Sequence, residues 1–244
     1  MKNNHYDIFK LDKNLWAIKD IASTENSISY LVCGKNKALL FDMGLGLSPI
    51  SPLLRRITSL PVIACLSHWH FDHSGGAYEF EHLIGWGSEY MRQVSLRGIT
   101  NELIHTQVGT DFWKSIGKKN HRTQKFPQIT MIDEEQSIDI GEYNFKIVHT
   151  PGHTKDSICL YEPKMKWLFS GDTVYHGPLY LHFDDAEMET YKQSINKLCE
   201  YDIESIYPGH NDVRLSKDIL SAIDSMLKNC PERSEKYPRL RILY

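Results

Sequence analysis

Three imidazoles and one carboxylate fall within six residues in Ser67-His68-Trp69-His70-Phe71-Asp72-His73, directly after the continuous apolar run Pro61–Leu66. A short run of that kind reads as a buried strand. The strand's exit therefore carries several groups that bind cations. In extended backbone, residues two apart point the same way, so His68 and His70 can share one ion. The chain then turns through Phe71, which lets Asp72 and His73 address a second position. Gly75-Gly76 permits a tight passage into the next helix. Imidazole plus carboxylate ligation suits zinc and other divalent transition metals. A polar helix start with incidental histidines is the competing explanation, and three histidines so close together at a strand exit argue against it.

Three later pieces have the same character. Thr150-Pro151-Gly152-His153 follows a strand expected at 143–148, Ser170-Gly171-Asp172 follows one at 167–170, and Tyr207-Pro208-Gly209-His210 follows one at 205–207. Each places one ligand type just past a strand end on a glycine-bearing turn. A lone Pro-Gly-His is usually only a turn, but four strand-end ligand positions in one chain form a pattern. The chain has 12 histidines. Of those outside the pattern, His149, just before the Thr-Pro-Gly-His turn, is expected to support a ligand from behind or to pack, and His176 and His182 are candidates to line the pocket. His5, His82, His105 and His121 read as surface residues.

The rest of the chain supplies the scaffold for such a site. Strands are expected at 7–11, 15–19, 27–32, 38–41 and 157–161, and helices at 47–60, 189–201 and 217–227, from apolar spacing and turn residues. Strands alternating with helices indicate layered α/β structure. With 244 residues and 41% hydrophobic content, the chain is expected to form a single domain over 1–244. Residues 88–128 carry seven Lys/Arg and three Asp/Glu, a local charge of +4 against −7 for the remainder. That segment is expected to be an inserted basic helical cap, either over the substrate or at an interface, and it favours an anionic substrate.

Composition excludes other classes. A net charge of −3 argues against a nucleic-acid partner. No uncharged apolar run approaches the length of a membrane span, so no membrane association is expected. Met1–Asp7 has neither an apolar core nor a small-residue cleavage site. The five scattered cysteines form no CxxC pair. Together these lead us to expect a cytoplasmic location with reduced thiols. Nothing in the sequence specifies an oligomeric state.

His68-x-His70-x-Asp72-His73, together with His153, Asp172 and His210, resembles the metallo-β-lactamase superfamily of hydrolases in type, order and approximate spacing. The resemblance spans about residues 26–210. It implies a four-layer αββα sandwich with two divalent metal ions at one edge, zinc first, with iron or manganese as alternatives. By position, His68, His70 and His153 would hold one ion, Asp72, His73 and His210 the other, and Asp172 would bridge them. A hydroxide between the ions would be the nucleophile. Two divalent cations, two carboxylates and one hydroxide leave a residual charge of about +1 to stabilise an oxyanion.

Departures narrow the resemblance. Asp172 stands where zinc β-lactamases with this first motif lack a bridging aspartate or have a nearby cysteine. His70 stands where flavodiiron proteins usually have glutamate. The ligand set matches glyoxalase II, although only 34 residues follow His210, too few for that enzyme's C-terminal helical substrate domain. No RNA-gripping arm of the kind found in processing ribonucleases is visible. Acyl-homoserine lactonases share the ligands and a tyrosine three residues past the bridging aspartate, here Tyr175. That residue is a candidate catalytic hydrogen-bond donor alongside Asp72, or else packs beside the loop. The expected activity is hydrolysis of a small ester, lactone or thioester, with a phosphodiester as an alternative substrate. A mononuclear iron persulfide dioxygenase is the alternative of a different class.

Overall fold

The computed structural model describes residues 5–22, 25–97, 128–181, 186–228 and 240–241. In chain order the first sheet is built from β1 (Tyr6–Asp12), β2 (Leu15–Asp20), β3 (Ile28–Cys33), β4 (Ala38–Phe41), β5 (Val62–Cys65), β6 (Leu83–Trp86) and β7 (Ile129–Ile132). These seven strands lie side by side in sequence order. β1 to β4 form an antiparallel meander, whereas β4 to β7 are parallel. Among the described residues three α-helices interrupt this half: α1 (Ser51–Ile57), the single turn α2 (Phe71–Ser74) and α3 (Glu89–Arg97).

The second sheet contains β8 (Ser137–Asp139), β9 (Asn144–His149), β10 (Ile158–Glu162), β11 (Trp167–Gly171), β13 (Ser205–Pro208) and β14 (Leu215–Ser216). Their spatial order is β14-β13-β11-β10-β9-β8, with β11 and β13 parallel. The short β12 (Pro178–Leu179) pairs instead with β15 (Leu240–Arg241). Helices α4 (Met188–Cys199) and α5 (Asp218–Lys228) complete this half.

Side-chain alternation along the strands generates the layers. In β3 and β4, Tyr30, Val32, Leu39 and Phe41 join one buried cluster, while Leu31, Ala38 and Leu40 join another. In β10 and β11, Ile158, Leu160, Trp167 and Phe169 share the first of these clusters, and Cys159, Tyr161 and Leu168 turn the other way. The shared cluster is the inter-sheet core. The two outer clusters lie under the helices, with Leu53 and Leu54 of α1 on one side and Ile195, Leu198, Ile223 and Leu227 of α4 and α5 on the other. The result is the αββα sandwich. Both faces of the central strands are covered, which is why they read as continuous apolar runs. Full burial of one such side chain is worth ~1.5–3 kcal/mol.

The structure departs from the sequence reading in places. Helix 47–60 contracts to Ser51–Ile57, because Pro52 sets its first turn and the extended Thr58 ends it. Strands β6, β7 and β8 had no strong signal: they are three or four residues long and only partly apolar. Of the basic segment 88–128, helix α3 covers Glu89–Arg97, and residues 98–127 lie outside the described residues. No helix among the described residues is long and apolar enough to cross a membrane.

Candidate metal centre

All four ligand-bearing loops leave the same kind of place. The histidine cluster follows β5, His153 follows β9, Asp172 follows β11 and His210 follows β13. Ligand sites in α/β sheets form beyond the carboxyl ends of strands, and here two sheets contribute to one such edge. The seven side chains converge. Their donor atoms form three groups able to hold a metal: His68, His70 and His153; His68, His73 and Asp172; and Asp72, His73 and His210. Within each group the donor atoms lie within 4.8 Å of one another.

The contacts between ligands define two poles. At one, His153 Nε2 lies 3.0 Å from His70 Nδ1. At the other, His73 Nε2 lies 3.2 Å from His210 Nε2, and His210 Nε2 lies 3.2 Å from Asp72 Oδ2. Asp172 reaches both. Its Oδ1 is 3.1 Å from His73 Nε2 and 3.3 Å from His210 Nε2, and its Oδ2 is 3.5 Å from His153 Nε2.

The far nitrogens of His68, His73, His153 and His210 are engaged by the protein, which sets the orientation of these rings. His73 Nδ1 donates to Asp42 Oδ2 at 2.9 Å, His153 Nδ1 to the Tyr180 carbonyl at 2.9 Å, and His210 Nδ1 to the Glu25 carbonyl at 2.9 Å. His68 Nδ1 meets Ser67 Oγ at 2.9 Å, and that hydroxyl donates to Asp42 Oδ2 at 2.8 Å. With Nδ1 committed, His68, His73, His153 and His210 turn Nε2 to the cavity, whereas His70 turns Nδ1 to it, 3.0 Å from His153 Nε2. His68 Nε2 is buried and has no hydrogen-bond partner among the described residues. A pocket that aims lone pairs and carboxylate oxygens at one another is favourable only with a positive charge between them. The donor set therefore fits divalent metal ions.

Titration behaviour follows from the same crowding. Burial pulls His68 and His70 well below the ordinary histidine range, and neighbouring imidazoles add to the effect. Burial also opposes charge on His73 and His210, but Asp172 and Asp72 outweigh it. His73 rises well above its usual value, and His210 is pushed up to about 10. Asp172 is held well below the carboxylate range despite burial, by His210 and His73. Asp72 is likewise lowered against burial, chiefly by His73. Burial and then Asp72 push the Glu25 carboxyl up to about 7.

Close approach explains one of the glycines. A Cβ on Gly209 would sit 2.7 Å from both Asp172 Oδ1 and His73 Cε1. The Pro208-Gly209-His210 glycine thus keeps the backbone against the ligands.

Other sequence candidates fall in different places. Tyr175 is buried beside the centre, its ring centroid 5.8 Å from that of His210, and its hydroxyl donates to the Pro178 carbonyl. Burial pushes that phenol well above its ordinary value. His149 stacks on Trp86 at 3.9 Å. His176 pairs with Asp212 at 3.2 Å. His5 and His82 are exposed, and His105, His121 and His182 lie outside the described residues. Sequence reasoning missed Asp42, Ser67 and the carbonyls of Glu25 and Tyr180. Asp42 had a usable signal, since it follows the apolar strand 38–41 as Asp172 follows 167–170.

The family profile described as the Metallo-beta-lactamase superfamily matches residues 24–210, and the chain belongs to that superfamily. It is similar to the acyl-coenzyme A thioesterase MBLAC2 of Gallus gallus, at 30% identity over 199 residues, covering 74% of this chain and 71% of that protein. It is also similar to the hydroxyacylglutathione hydrolase of Enterobacter sp. (strain 638), at 27% identity over 188 residues, covering 73% of this chain and 60% of that protein. Among solved structures, an archaeal metallo-beta-lactamase superfamily protein from Sulfolobus tokodaii superposes with a TM-score of 0.67 at 16% identity, over 91% of this chain and 89% of that one. That likeness concerns the fold.

Proposed function

We propose that the chain is a dinuclear metal-dependent hydrolase that cleaves a thioester, within the wider class of small esters and lactones. The observation that carries this reading is the placement of Asp172, with one carboxylate oxygen turned to each pole of the ligand set. His68, His70 and His153 would hold one ion and Asp72, His73 and His210 the other. Bound there, two divalent ions would lower the pKa of a water held between them and polarise the acyl oxygen. Zinc suits these nitrogen and oxygen donors.

The protein's own part is positioning. Asp42, Tyr180 and Glu25 fix the imidazole tautomers. Tyr175 can serve as a donor to the developing oxyanion only by exchanging the Pro178 carbonyl for the substrate's, a short local shift of its hydroxyl. The thioester preference is supported by two relatives named for acyl groups carried on thiols. A built second pole around His210 also supports two ions over a mononuclear iron centre.

The test is hydrolysis by the zinc-loaded chain of matched acyl-coenzyme A, acylglutathione, oxygen-ester, lactone and phosphodiester substrates. The expected result is zinc-dependent thiol release, with kcat/KM for a thioester at least about tenfold above its oxygen-ester counterpart, one decade of transition-state discrimination. One bound iron with oxygen uptake, or a phosphodiester preference, would overturn the reading.

A further inference from the structure

Asp172 and His210 leave neighbouring strands. β11 and β13 run parallel, and their ladder ends at Gly171 and Pro208. One more main-chain bond follows, from the Gly209 N–H to the Gly171 carbonyl at 2.8 Å. Beyond it, side chains join the two loops. Asn211 Nδ2 donates to the His176 carbonyl, and His176 Nδ1 donates to Asp212 Oδ2 at 3.2 Å. His176 is thus gripped at its main chain and at its ring by the two residues that follow His210.

Asn211 suits this place. Its φ is 66°, in the left-handed region that asparagine tolerates better than most residues. Its own carbonyl accepts from Lys19 Nζ at 3.1 Å, and the next N–H, that of Asp212, donates to the His210 carbonyl at 2.9 Å. The opposite loop approaches closely: a Cβ on Gly177 would lie 2.9 Å from Asn211 Nδ2. Asn211 is exposed, so no core packing depends on it. What it holds is the middle of a short segment, Tyr175–Pro178, whose ends are joined by the bond from the Tyr175 hydroxyl to the Pro178 carbonyl. The Tyr175 ring lies beside His210 at the start of that segment. When the hydroxyl leaves Pro178 for a substrate, the closing bond is lost, and the segment then depends on the grip at His176.

We propose that Asn211 is a positioning residue for Tyr175, latching the loop after Asp172 to the turn after His210 so that the phenol stays beside the metal centre during turnover. The inference rests on the hydrolase reading above, with Tyr175 as the oxyanion donor. Its consequence is a dependence: Asn211 matters to catalysis only while Tyr175 carries its hydroxyl.

The experiment is a double-mutant cycle on the zinc-loaded chain with an acyl-coenzyme A substrate. Asn211→Gly keeps a residue at ease at positive φ and removes the amide. It should lower kcat about 10- to 100-fold, the cost of an ångström-scale misplacement, and by no more than Tyr175→Phe does. Its zinc content should equal that of the wild type. In a Tyr175→Phe background the same change should cost less than about twofold, because residues acting through one another are not additive. Asn211→Asp keeps the shape but offers no N–H; it should behave in the same way, and it decides the matter if the glycine variant does not fold. Amide exchange gives a readout independent of activity. At His176 and Gly177 it should quicken at least about threefold in either variant, while Ala64 in β5 is unchanged. Unchanged kcat, losses that add in the double variant, a lower zinc content or unchanged exchange at His176 and Gly177 would each overturn the proposal. A wild type without zinc-dependent hydrolysis overturns the hydrolase reading together with this role. An active wild type with additive losses, or with a silent Tyr175→Phe, overturns this role alone.

Discussion

Filling the two poles should have different proton costs. Before metal enters, His73 is held protonated by Asp172, Asp72 and Asp42 despite its burial, and His210 titrates at about 10. His68 and His70 are neutral near pH 7, because burial disfavours their charged forms. Asp72 and Asp172 are already ionised. An ion at the His73–His210 pole must therefore displace protons from nitrogens, whereas one at the His68–His70 pole finds lone pairs ready. The facing Nε2 atoms lie 3.2 Å apart, so the two imidazolium protons repel each other while the two carboxylates offset them. We expect about one to two protons released by the ion at the first of these poles, and about none at the second, between pH 7 and 9. Each displaced proton makes affinity rise tenfold per pH unit, so binding at the His73–His210 pole should tighten ~10- to 100-fold per unit as pH increases towards the His210 pKa. Calorimetric zinc titrations in two buffers of different ionisation enthalpy read the proton count directly. Equal release at both steps, or tighter binding at lower pH, would refute the reasoning.

Three further outcomes follow from the geometry. Asp172→Ala should weaken both ions and cost more activity than loss of any terminal ligand; metal analysis showing both ions at full occupancy would remove its bridging role. Tyr175→Phe should leave metal content unchanged and lower kcat by about 10- to 1000-fold, the range for a lost oxyanion donor; normal turnover would return Tyr175 to its bond with Pro178. Gly152 has φ 138°, and a Cβ there would lie 2.4 Å from the Cα of Tyr191, so Gly152→Ala should destabilise the fold by about 2–6 kcal/mol from strain and overpacking combined. Chemical denaturation checks this, and a change under about 1 kcal/mol, the cost of an ordinary substitution, would contradict it.

What could be read from the residues alone was local. The cluster His68–His73 announces itself because strand alternation and one tight turn place its side chains within a few residues of each other. His153, Asp172 and His210 were legible as strand-exit positions, since an apolar run followed by a glycine turn marks both the strand and its end. Apolar spacing indicated only layered α/β structure; the four-layer sandwich was implied by the family resemblance that the ligand motifs carry. The chain's matches to strand and helix expectations weakened where elements were short, as in β6 to β8, because three or four residues carry too little periodicity to outweigh their neighbours.

Tertiary structure alone decided which ligands face which, and what holds them. Asp172 could be placed at a strand end from its sequence, but that its two oxygens point to opposite poles depends on how the strand ends of two separate sheets align. The partners of His153 and His210 are the backbone carbonyls of Tyr180 and Glu25. A carbonyl is the same group in every residue, so no side-chain identity could reveal those bonds. Ligand types are written in the sequence because chemistry depends on residue identity. Their orientation comes from the packed fold, because it depends on main-chain atoms that every residue shares.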